Sequence, residues 1–387
     1  MLYTKELGNI IRTMLPEAAR YQYILESAGG LFEKEILPSA KKIDQNGTFP
    51  RQNLELLQRE KIMGMPFPKE YAGSALPFTA YAAVIEMLAS ACANTALQLS
   101  IQGMITEGLE LFGTAGQKEK FLKEKGLAVG RCLIAFALTE PCCGSDARSI
   151  RSTAAPEGNA YILNGSKIFI TNAAEADFTL VFAATKKGIS AFIVPKESSG
   201  FIVLKDMPKL GFRGNRLNAV QLKDCRVPGE YLLGEEGKGL EYAKQILNSG
   251  RLTIAAIAVG IAQSAYEKAR LYSKKREAFG ESLSHFQLIQ EKLADMATGI
   301  RAARLMTYCA AAQKDGGMDI AAEAAQAKLF ASETAVQVCD KAMQIHGGYG
   351  YVDDFDIHRH WRDSRMLLIG EGTSDMLRLL IAHLELK

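Results

Sequence analysis

The sequence has no strong excess of one charge, and this absence already narrows the classes of function. Its 387 residues include 46 Lys and Arg against 43 Asp and Glu, which gives a formal net charge of +3. Proteins that bind nucleic acid usually carry clustered or excess positive charge. The composition therefore gives no reason to expect a nucleic-acid partner.

Regularly spaced cysteines are also absent. The seven cysteines are odd in number and form no disulfide framework, which fits a reducing compartment. The adjacent Cys142 and Cys143 have no second CxxC motif and no neighbouring His to complete a metal site. We therefore predict that the protein holds no metal.

Signals for a membrane or for secretion are missing as well. The longest apolar run, Leu252 to Ala262, is far shorter than the roughly 20 residues that a membrane-spanning helix needs. Charges within residues 1–15 are unfavourable for the apolar region of a secretory signal. These observations predict a cytoplasmic protein with no membrane partner.

The pattern of apolar residues divides the chain into three parts. Helical spacing runs from about residue 24 to 125, as in Tyr81, Ile85, Leu88 and Cys92. From about 131 to 228, short runs rich in β-branched and aromatic residues are bounded by Gly, Pro, Asn and Asp, which is typical of strands and turns. This middle part predicts a small antiparallel barrel or sandwich.

The helical period returns from about residue 239 and predicts a bundle. Its clearest seam consists of Phe286, Ile289, Leu293, Met296, Ile300 and Ala303. At 387 residues and 48% hydrophobic composition, the chain can bury a large core over two or three domains. We predict a mainly helical α+β protein with an N-terminal helical domain (1–127), a middle β domain (128–237) and a C-terminal four-helix bundle (238–387).

Three segments combine small residues with chemically active side chains. The segment LLIGEGTSDMLR (367–378) places Glu371 between Gly370 and Gly372, which leaves the carboxylate open to a ligand on both sides. The segments LTEPCCGSDARS (138–149) and QIHGGYGY (344–351) place glycines beside hydroxyls and amides. Such glycines let backbone N–H groups approach a flat or phosphorylated ligand closely.

Further motifs occur in a fixed order with these three. They are NGSKIFITNA (164–173), GFRGNRL (211–217), RxxFG (276–280), FQLIQ (286–290) and RHWRDSR (359–365). In this order, from about residue 31 to 382, the chain resembles the acyl-CoA dehydrogenase family. The resemblance implies the same architecture that the periodicity predicts: helices, then a β domain, then a helical bundle.

The resemblance also implies a flavin cofactor, FAD. The dehydrogenation that the resemblance implies needs an acceptor for a hydride, and because side chains cannot accept one, a cofactor must do so. No strand-GxGxxG-helix pattern supports a nicotinamide site. By resemblance, Thr139 and Thr171 would bond the edge of the flavin ring, with Phe169 against one ring face and Ser145 beside it. The resemblance assigns the pyrophosphate and adenosine half to Arg276, Phe279 and Gln287, with Gln344, Gly347 and Gly348 from across a subunit interface. It further assigns Phe136, Leu138, Gly144, Ile170, Phe286, Thr373 and Asp375 to the cofactor site.

Glu371 matches the base that removes the substrate α-proton in the family. In some relatives the base lies on an earlier helix, at the position of Gly250, where glycine cannot serve. The residues that the resemblance assigns to the substrate are Ser145, Asn248, Arg251, Glu371 and Gly372, with Arg251 supporting the base loop. Gly370 stands where many straight-chain members have Tyr, which implies a wider pocket for a branched or cyclic acyl group.

Together these features predict an acyl-CoA dehydrogenase for short or medium acyl chains, including branched or cyclic ones. The resemblance implies that the β-hydride passes to flavin N5, that an electron-transferring flavoprotein takes the electrons, and that the protein is a homotetramer. A dehydrogenase of acyl-carrier-protein thioesters and an acyl-CoA oxidase remain alternatives on the same fold. A non-catalytic flavoprotein is a third alternative, and the presence of Glu371 counts against it.

Overall fold

The computed structural model describes residues 18–386. The first 17 residues of the predicted N-terminal domain, including the charges weighed against a secretory signal, lie outside the described residues. The N-terminal helices are α1 (Ala18–Leu31), α2 (Leu37–Asn46), α3 (Arg51–Arg59) and α4 (Phe78–Phe112). Apolar and small residues cover every face of α4, so this helix is buried along most of its length.

The middle of the chain forms one curled seven-stranded sheet. Its strands are β1 (Ile134–Ala137), β2 (Thr153–Glu157), β3 (Ala160–Thr171), β4 (Phe178–Thr185), β5 (Gly188–Pro195), β6 (Phe201–Val203) and β7 (Leu217–Pro228). The order is β1-β4-β2-β3-β7-β6, with β5 paired to β4. Strand β4 runs parallel to β1 and to β2, so the sheet is mixed, whereas the sequence predicted antiparallel pairing throughout.

The C-terminal part is helical again. It contains α5 (Gly239–Lys275), α6 (Gln287–Asp315), α7 (Ala321–His346), α8 (Ile357–Met366) and α9 (Ser374–Glu385). A two-residue hairpin, β8 (Glu277–Ala278) with β9 (Glu281–Ser282), separates α5 from α6. Helices α5, α6 and α7 pack against one another, and α4 packs on α5. The predicted fold class, mainly helical with a β domain in the middle, is confirmed.

The predicted seam of α6 is buried only in its second half. Met296, Ile300 and Ala303 are buried, whereas Ile289 and Leu293 are partly exposed. Leu288, in the same first turns, is 68% exposed. One end of this helix therefore presents apolar side chains at the surface of the single chain.

Helices α4 and α5 are long and apolar enough to cross a membrane by length and composition. In the folded chain, however, 94% and 78% of their most apolar windows are buried. No uninterrupted apolar run of membrane-spanning length marks either helix in the sequence, because polar residues interrupt both. Burial of this kind is typical of core helices in globular proteins, so the two helices are weak evidence for a membrane segment.

Candidate active site

Glu371 lies in the loop between α8 and α9 and has a strained backbone. Its φ of 56° is in the left-handed region, and Gly372 follows with a φ of 105°. A non-glycine residue in this region stores strain of order 1–3 kcal/mol and is frequent at functional sites. The loop is fixed beyond the strained residue because Thr373 accepts a hydrogen bond from the backbone N–H of Met376, which caps α9.

Cationic side chains from two helices meet this loop. Lys328 of α7 is fully buried and its Nζ donates to the carbonyl oxygen of Gly372 at 2.7 Å. Arg251 of α5 donates from Nε to the carbonyl oxygen of Glu371 at 3.5 Å and from Nη1 to Asn248 Oδ1 at 2.8 Å. The structure therefore brings together four predicted substrate residues, and it adds Lys328, which the sequence analysis missed.

The carboxylate of Glu371 is shielded although the residue as a whole is partly exposed. Its Oε2 is buried and has no hydrogen-bond partner among the described residues. Burial raises the pKa of Glu371 to about 7, against the opposing effect of Lys328 and Arg251. A carboxylate with such a pKa is a stronger base than one in water and is still substantially ionised at neutral pH.

Gly250 on α5 directly faces this carboxylate. A Cβ atom at Gly250 would overlap Oε2 of Glu371 and would lie 2.7 Å from Sδ of Met104. Met104 also lines a cavity of about 250 Å³, together with Gly103 and Ser249. The absence of a side chain at Gly250 therefore provides the space in which Glu371 points its carboxylate.

The ion pair between Lys167 and Glu140 holds the segment Thr139–Pro141 against β3, and we call this pair the clamp. Lys167 of β3 donates to Glu140 Oε1 at 2.7 Å and to the carbonyl oxygen of Leu138 at 3.1 Å, and both ionic side chains are buried. The backbone N–H of Ile168 donates to the carbonyl oxygen of Thr139 at 3.0 Å. Burial raises the pKa of Glu140, but hydrogen bonds from Lys167 and from the backbone at Ser152 and Arg151 outweigh it and leave the pKa below its usual value.

This clamp places Thr139 beside the strand segment that carries Phe169 and Thr171. Phe169 has a φ of 58° and is 59% exposed, so a strained backbone presents its ring to the surface. Thr171 is half-buried at the end of the strand, and Ile170 between them points into the core. Of the other predicted flavin residues, Gly144 and Ser145 are exposed, Leu138 is buried, and Phe136 is half-buried with its ring 5.0 Å from that of Phe182.

Glu140, Cys142 and Cys143 bring three potential metal-ligand atoms within 4.8 Å of one another. From the sequence alone, the two cysteines have no evident third ligand. Both oxygens of Glu140 are already engaged, one by Lys167 and the other by the backbone N–H of Arg151 at 2.6 Å. The two oxygens of Glu140 therefore already have hydrogen-bond donors, and neither is a free third ligand beside the two cysteines.

Three of the residues predicted for the pyrophosphate and adenosine half meet near the end of α5. Arg276 lines a cavity of about 460 Å³ together with Tyr272, His346, Gly347 and Gly348. A Cβ at either glycine would meet nothing within 4 Å, so their backbone is open to a ligand. A guanidinium beside open backbone groups suits a pyrophosphate. Within the single chain, Arg276 and the two glycines line the same cavity.

Other predicted cofactor residues lie at the surface of the single chain. Phe279, at the tip of the β8–β9 hairpin, is 97% exposed, and its ring centroid lies 6.2 Å from that of Phe286. Gln287 and Gln344 are exposed. The side chain of Asp375 is 94% exposed and 4.0 Å from Arg378, so it makes no inward contact in the described chain.

Comparison with known proteins shows which family has this combination of fold and site. Models of the acyl-CoA dehydrogenase N-terminal, middle and C-terminal domains match residues 19–126, 135–225 and 237–385. The human mitochondrial short-chain specific acyl-CoA dehydrogenase is 41% identical over 385 residues, which cover 98% of this chain and 92% of the human protein.

Two solved structures superpose closely. The butyryl-CoA dehydrogenase from Megasphaera elsdenii has a TM-score of 0.92 and 38% identity, over 95% of this chain and 98% of the other. A chain from the structure described as "Electron transferring flavoprotein of Acidaminococcus fermentans: Towards a mechanism of flavin-based electron bifurcation" has a TM-score of 0.92 and 40% identity over the same shares. The chain belongs to the acyl-CoA dehydrogenase family.

The family's cofactor is FAD, and the protein is accordingly an FAD-dependent oxidoreductase. The described residues fit this cofactor at two places. The cavity at Arg276, with the open backbone of Gly347 and Gly348, suits a pyrophosphate. The exposed ring of Phe169 beside Thr171 and the clamped Thr139 suits a flat polar ring.

Proposed function

We propose that this protein introduces an α,β double bond into a short-chain acyl-CoA, with Glu371 as the base that takes the α-proton. The observation that carries the proposal is the carboxylate of Glu371, whose Oε2 is shielded, has no partner among the described residues and lies near two cations. When bound, FAD supplies the acceptor for the two electrons that leave with the β-hydrogen.

The chain's own residues account for the proton step. The α-proton passes from carbon to Glu371, and a carboxylate with a pKa of about 7 can take it at neutral pH. Arg251 and Lys328 donate hydrogen bonds to two successive carbonyl oxygens, those of Glu371 and Gly372. This support orients the carboxylate before the substrate arrives, which lowers the reorganisation that the transition state requires.

A short acyl chain is supported by the names of the human relative and of the Megasphaera enzyme. Gly370 supports the inclusion of branched or cyclic chains. Its φ lies outside the left-handed region, so glycine is not required there by the backbone. A Cβ at Gly370 would meet Sδ of Met366 at 2.9 Å, the end of a flexible side chain. The glycine therefore avoids the crowding that a larger residue would introduce here.

We also propose the partners and the organisation. An electron-transferring flavoprotein as acceptor is supported by the Acidaminococcus structure. A homotetramer is supported by the surface position of Phe279, Gln287 and Leu288, which a second copy could cover. Domain boundaries at 127/128 and 237/238, and a cytoplasmic location, complete the proposal.

Anaerobic bleaching of the flavin across a panel of thioesters tests this function. The panel contains linear, branched and cyclic acyl-CoAs and the matching acyl-carrier-protein thioesters, and a parallel assay supplies oxygen as the acceptor. We expect bleaching by short acyl-CoAs and slow reoxidation by oxygen. Bleaching by the carrier-protein thioesters alone, or rapid turnover with oxygen, would favour one of the two alternatives. A flavin that no thioester bleaches would contradict the proposal.

A further inference from the structure

Lys328 is an ionisable group buried where the substrate chemistry is proposed to occur. It lies on α7 and is 0% exposed, and the only hydrogen bond that its side chain makes among the described residues is the one from Nζ to the carbonyl oxygen of Gly372. Burying an ammonium group is unfavourable unless nearby groups compensate it. The carboxylate that acts on it most strongly is that of Glu371.

We propose that Lys328 is a positioning residue for the base, fixing the loop through Gly372 and supplying the positive charge that keeps the Glu371 carboxylate ionised. This inference rests on the proposed role of Glu371. The proposed role of Lys328 requires no contact with the substrate. It acts through the conformation and the charge state of its neighbour.

The position of Lys328 explains both effects. Glu371 and Gly372 both have positive φ angles, so their conformation needs support from outside the loop. The bond to Gly372 supplies it from α7, while Arg251 approaches Glu371 from α5. The loop is thus held between two helices that are themselves packed against each other.

The charges around the two residues are few. The positive charges of Lys328 and Arg251 both lower the pKa of Glu371, and the effect of Lys328 is the larger of the two. Lys328 is affected by Glu371, Arg251 and Glu333, and burial lowers its pKa to about 8. Arg251 stays protonated at all relevant pH values. A substitution of Lys328 therefore removes one of the two positive charges near Glu371 and leaves the charge and the contact of Arg251 in place.

Three substitutions separate the hydrogen bond from the charge. Lys328→Gln retains a donor but loses the charge, Lys328→Arg retains the charge, and Lys328→Met loses both. Lys341→Met is a matched control on the same helix, because Lys341 pairs with Asp295 at 2.6 Å and does not act on Glu371. For each variant, the rate of anaerobic flavin bleaching by a saturating acyl-CoA is measured from pH 5.5 to 9, beside the melting temperature and the FAD content.

We expect the midpoint of the pH–rate profile to rise by about one pH unit or more in the Gln and Met variants, because an opposite charge near a carboxylate typically lowers its pKa by one to three. Bleaching below the wild-type midpoint would then slow roughly tenfold or more. The Arg variant should keep the wild-type midpoint, and the Met variant should in addition bleach more slowly at every pH. Lys341→Met should keep both midpoint and rate.

A wild-type midpoint in folded, FAD-containing Gln or Met variants overturns the inference, even if their melting temperatures fall. If the Met variant does not fold, the contrast between Gln and Arg still decides. Glu371→Gln is measured in the same series to separate the two levels of the argument. If that variant bleaches at the wild-type rate, the proposed base is wrong. If it is inactive while the Lys328 variants keep the wild-type midpoint, only the role of Lys328 is wrong.

Discussion

Gly250 and Glu371 compete for one location: a side chain at Gly250 would occupy the space that Oε2 of Glu371 now fills. The two residues are 121 positions apart and lie on different elements, α5 and the loop before α9. In some relatives that the sequence resembles, the base lies on the earlier helix at the position of Gly250, but the sequence does not show that this position is close to Glu371. Because the two positions share one space, the geometry supports the proposal that a carboxylate from either position could serve the same site.

Replacing Glu371 by Gln should abolish most of the activity and preserve the fold. The amide has the same shape but cannot take a proton, and loss of a positioned base typically lowers a rate by roughly a hundred to ten thousandfold. Anaerobic bleaching by the best acyl-CoA measures the loss, with FAD content and melting temperature as controls. Bleaching at the wild-type rate would place the base elsewhere.

The base should be transferable to α5. Glu371→Gly alone should be as inactive as Glu371→Gln, whereas the double variant Gly250→Glu with Glu371→Gly should regain part of the bleaching rate. The new side chain takes the volume that the old carboxylate leaves, and Sδ of Met104, 2.7 Å from the new Cβ, must shift aside. A folded double variant with bound FAD that is no faster than Glu371→Gly would contradict this prediction.

The flavin-bleaching rate should rise with pH with a midpoint near 7, because Glu371 must lose its proton to act and burial raises its pKa to about 7.

The raised pKa of Glu371 also affects the stability of the fold. The folded state retains this proton above the ordinary value of 4.5, so the contribution of Glu371 to the free energy of unfolding falls as the pH rises from 4.5 to 7.

Chemical denaturation of wild type and Glu371→Gln at pH 5 and pH 7 tests the stability effect without turnover. We expect the wild type to lose stability relative to the variant between these two values. A difference that is independent of pH would show that Glu371 titrates at its ordinary pKa, and a change in the opposite direction would show a lowered pKa; either result would contradict the prediction.

Much of the fold followed from the sequence because apolar residues recur at helical spacing before and after a middle part of short runs rich in β-branched and aromatic residues. Strand β2 escaped the prediction because four of its five residues, Ala-Ala-Pro-Glu, are of types depleted in strands. The parallel pairing of β4 with β1 was also unpredictable. It depends on where the chain returns after β2 and β3, which no local pattern records.

The site followed from the sequence only where motifs carried it. Lys328 belongs to no motif that was singled out, yet a signal was present: Ala324, Lys328, Ala331 and Ala335 recur at helical spacing and are all buried. A lysine on an otherwise small, buried stripe indicates a specific partner. Its identity could not be read from the sequence, because the partner, the carbonyl of Gly372, is 44 residues away.

Retention of FAD should depend on assembly. Phe279 is 97% exposed in the single chain, and Gln287 and Gln344 are exposed as well, although all three are predicted to contact the cofactor. A second copy that covers this surface would complete the site. We expect light scattering to show a tetramer, and Leu288→Glu, at the 68% exposed apolar position, to give smaller species with less FAD. A monomer with full FAD occupancy would contradict the prediction.

The substitution Gly370→Tyr tests whether the acyl pocket is shaped by this position. No positive φ requires glycine here, and the new side chain first meets the flexible end of Met366. Since one apolar pocket contact is worth about 1 to 3 kcal/mol in discrimination, activity should fall roughly tenfold or more on branched or cyclic acyl-CoAs and much less on linear ones. Gly370→Ala is the matched control, because it adds the Cβ without the ring. The ratio of kcat/KM for a branched and a linear substrate is compared in all three proteins. An unchanged ratio in Gly370→Tyr, with activity lowered equally on both substrates, would mean that the residue does not face the acyl group.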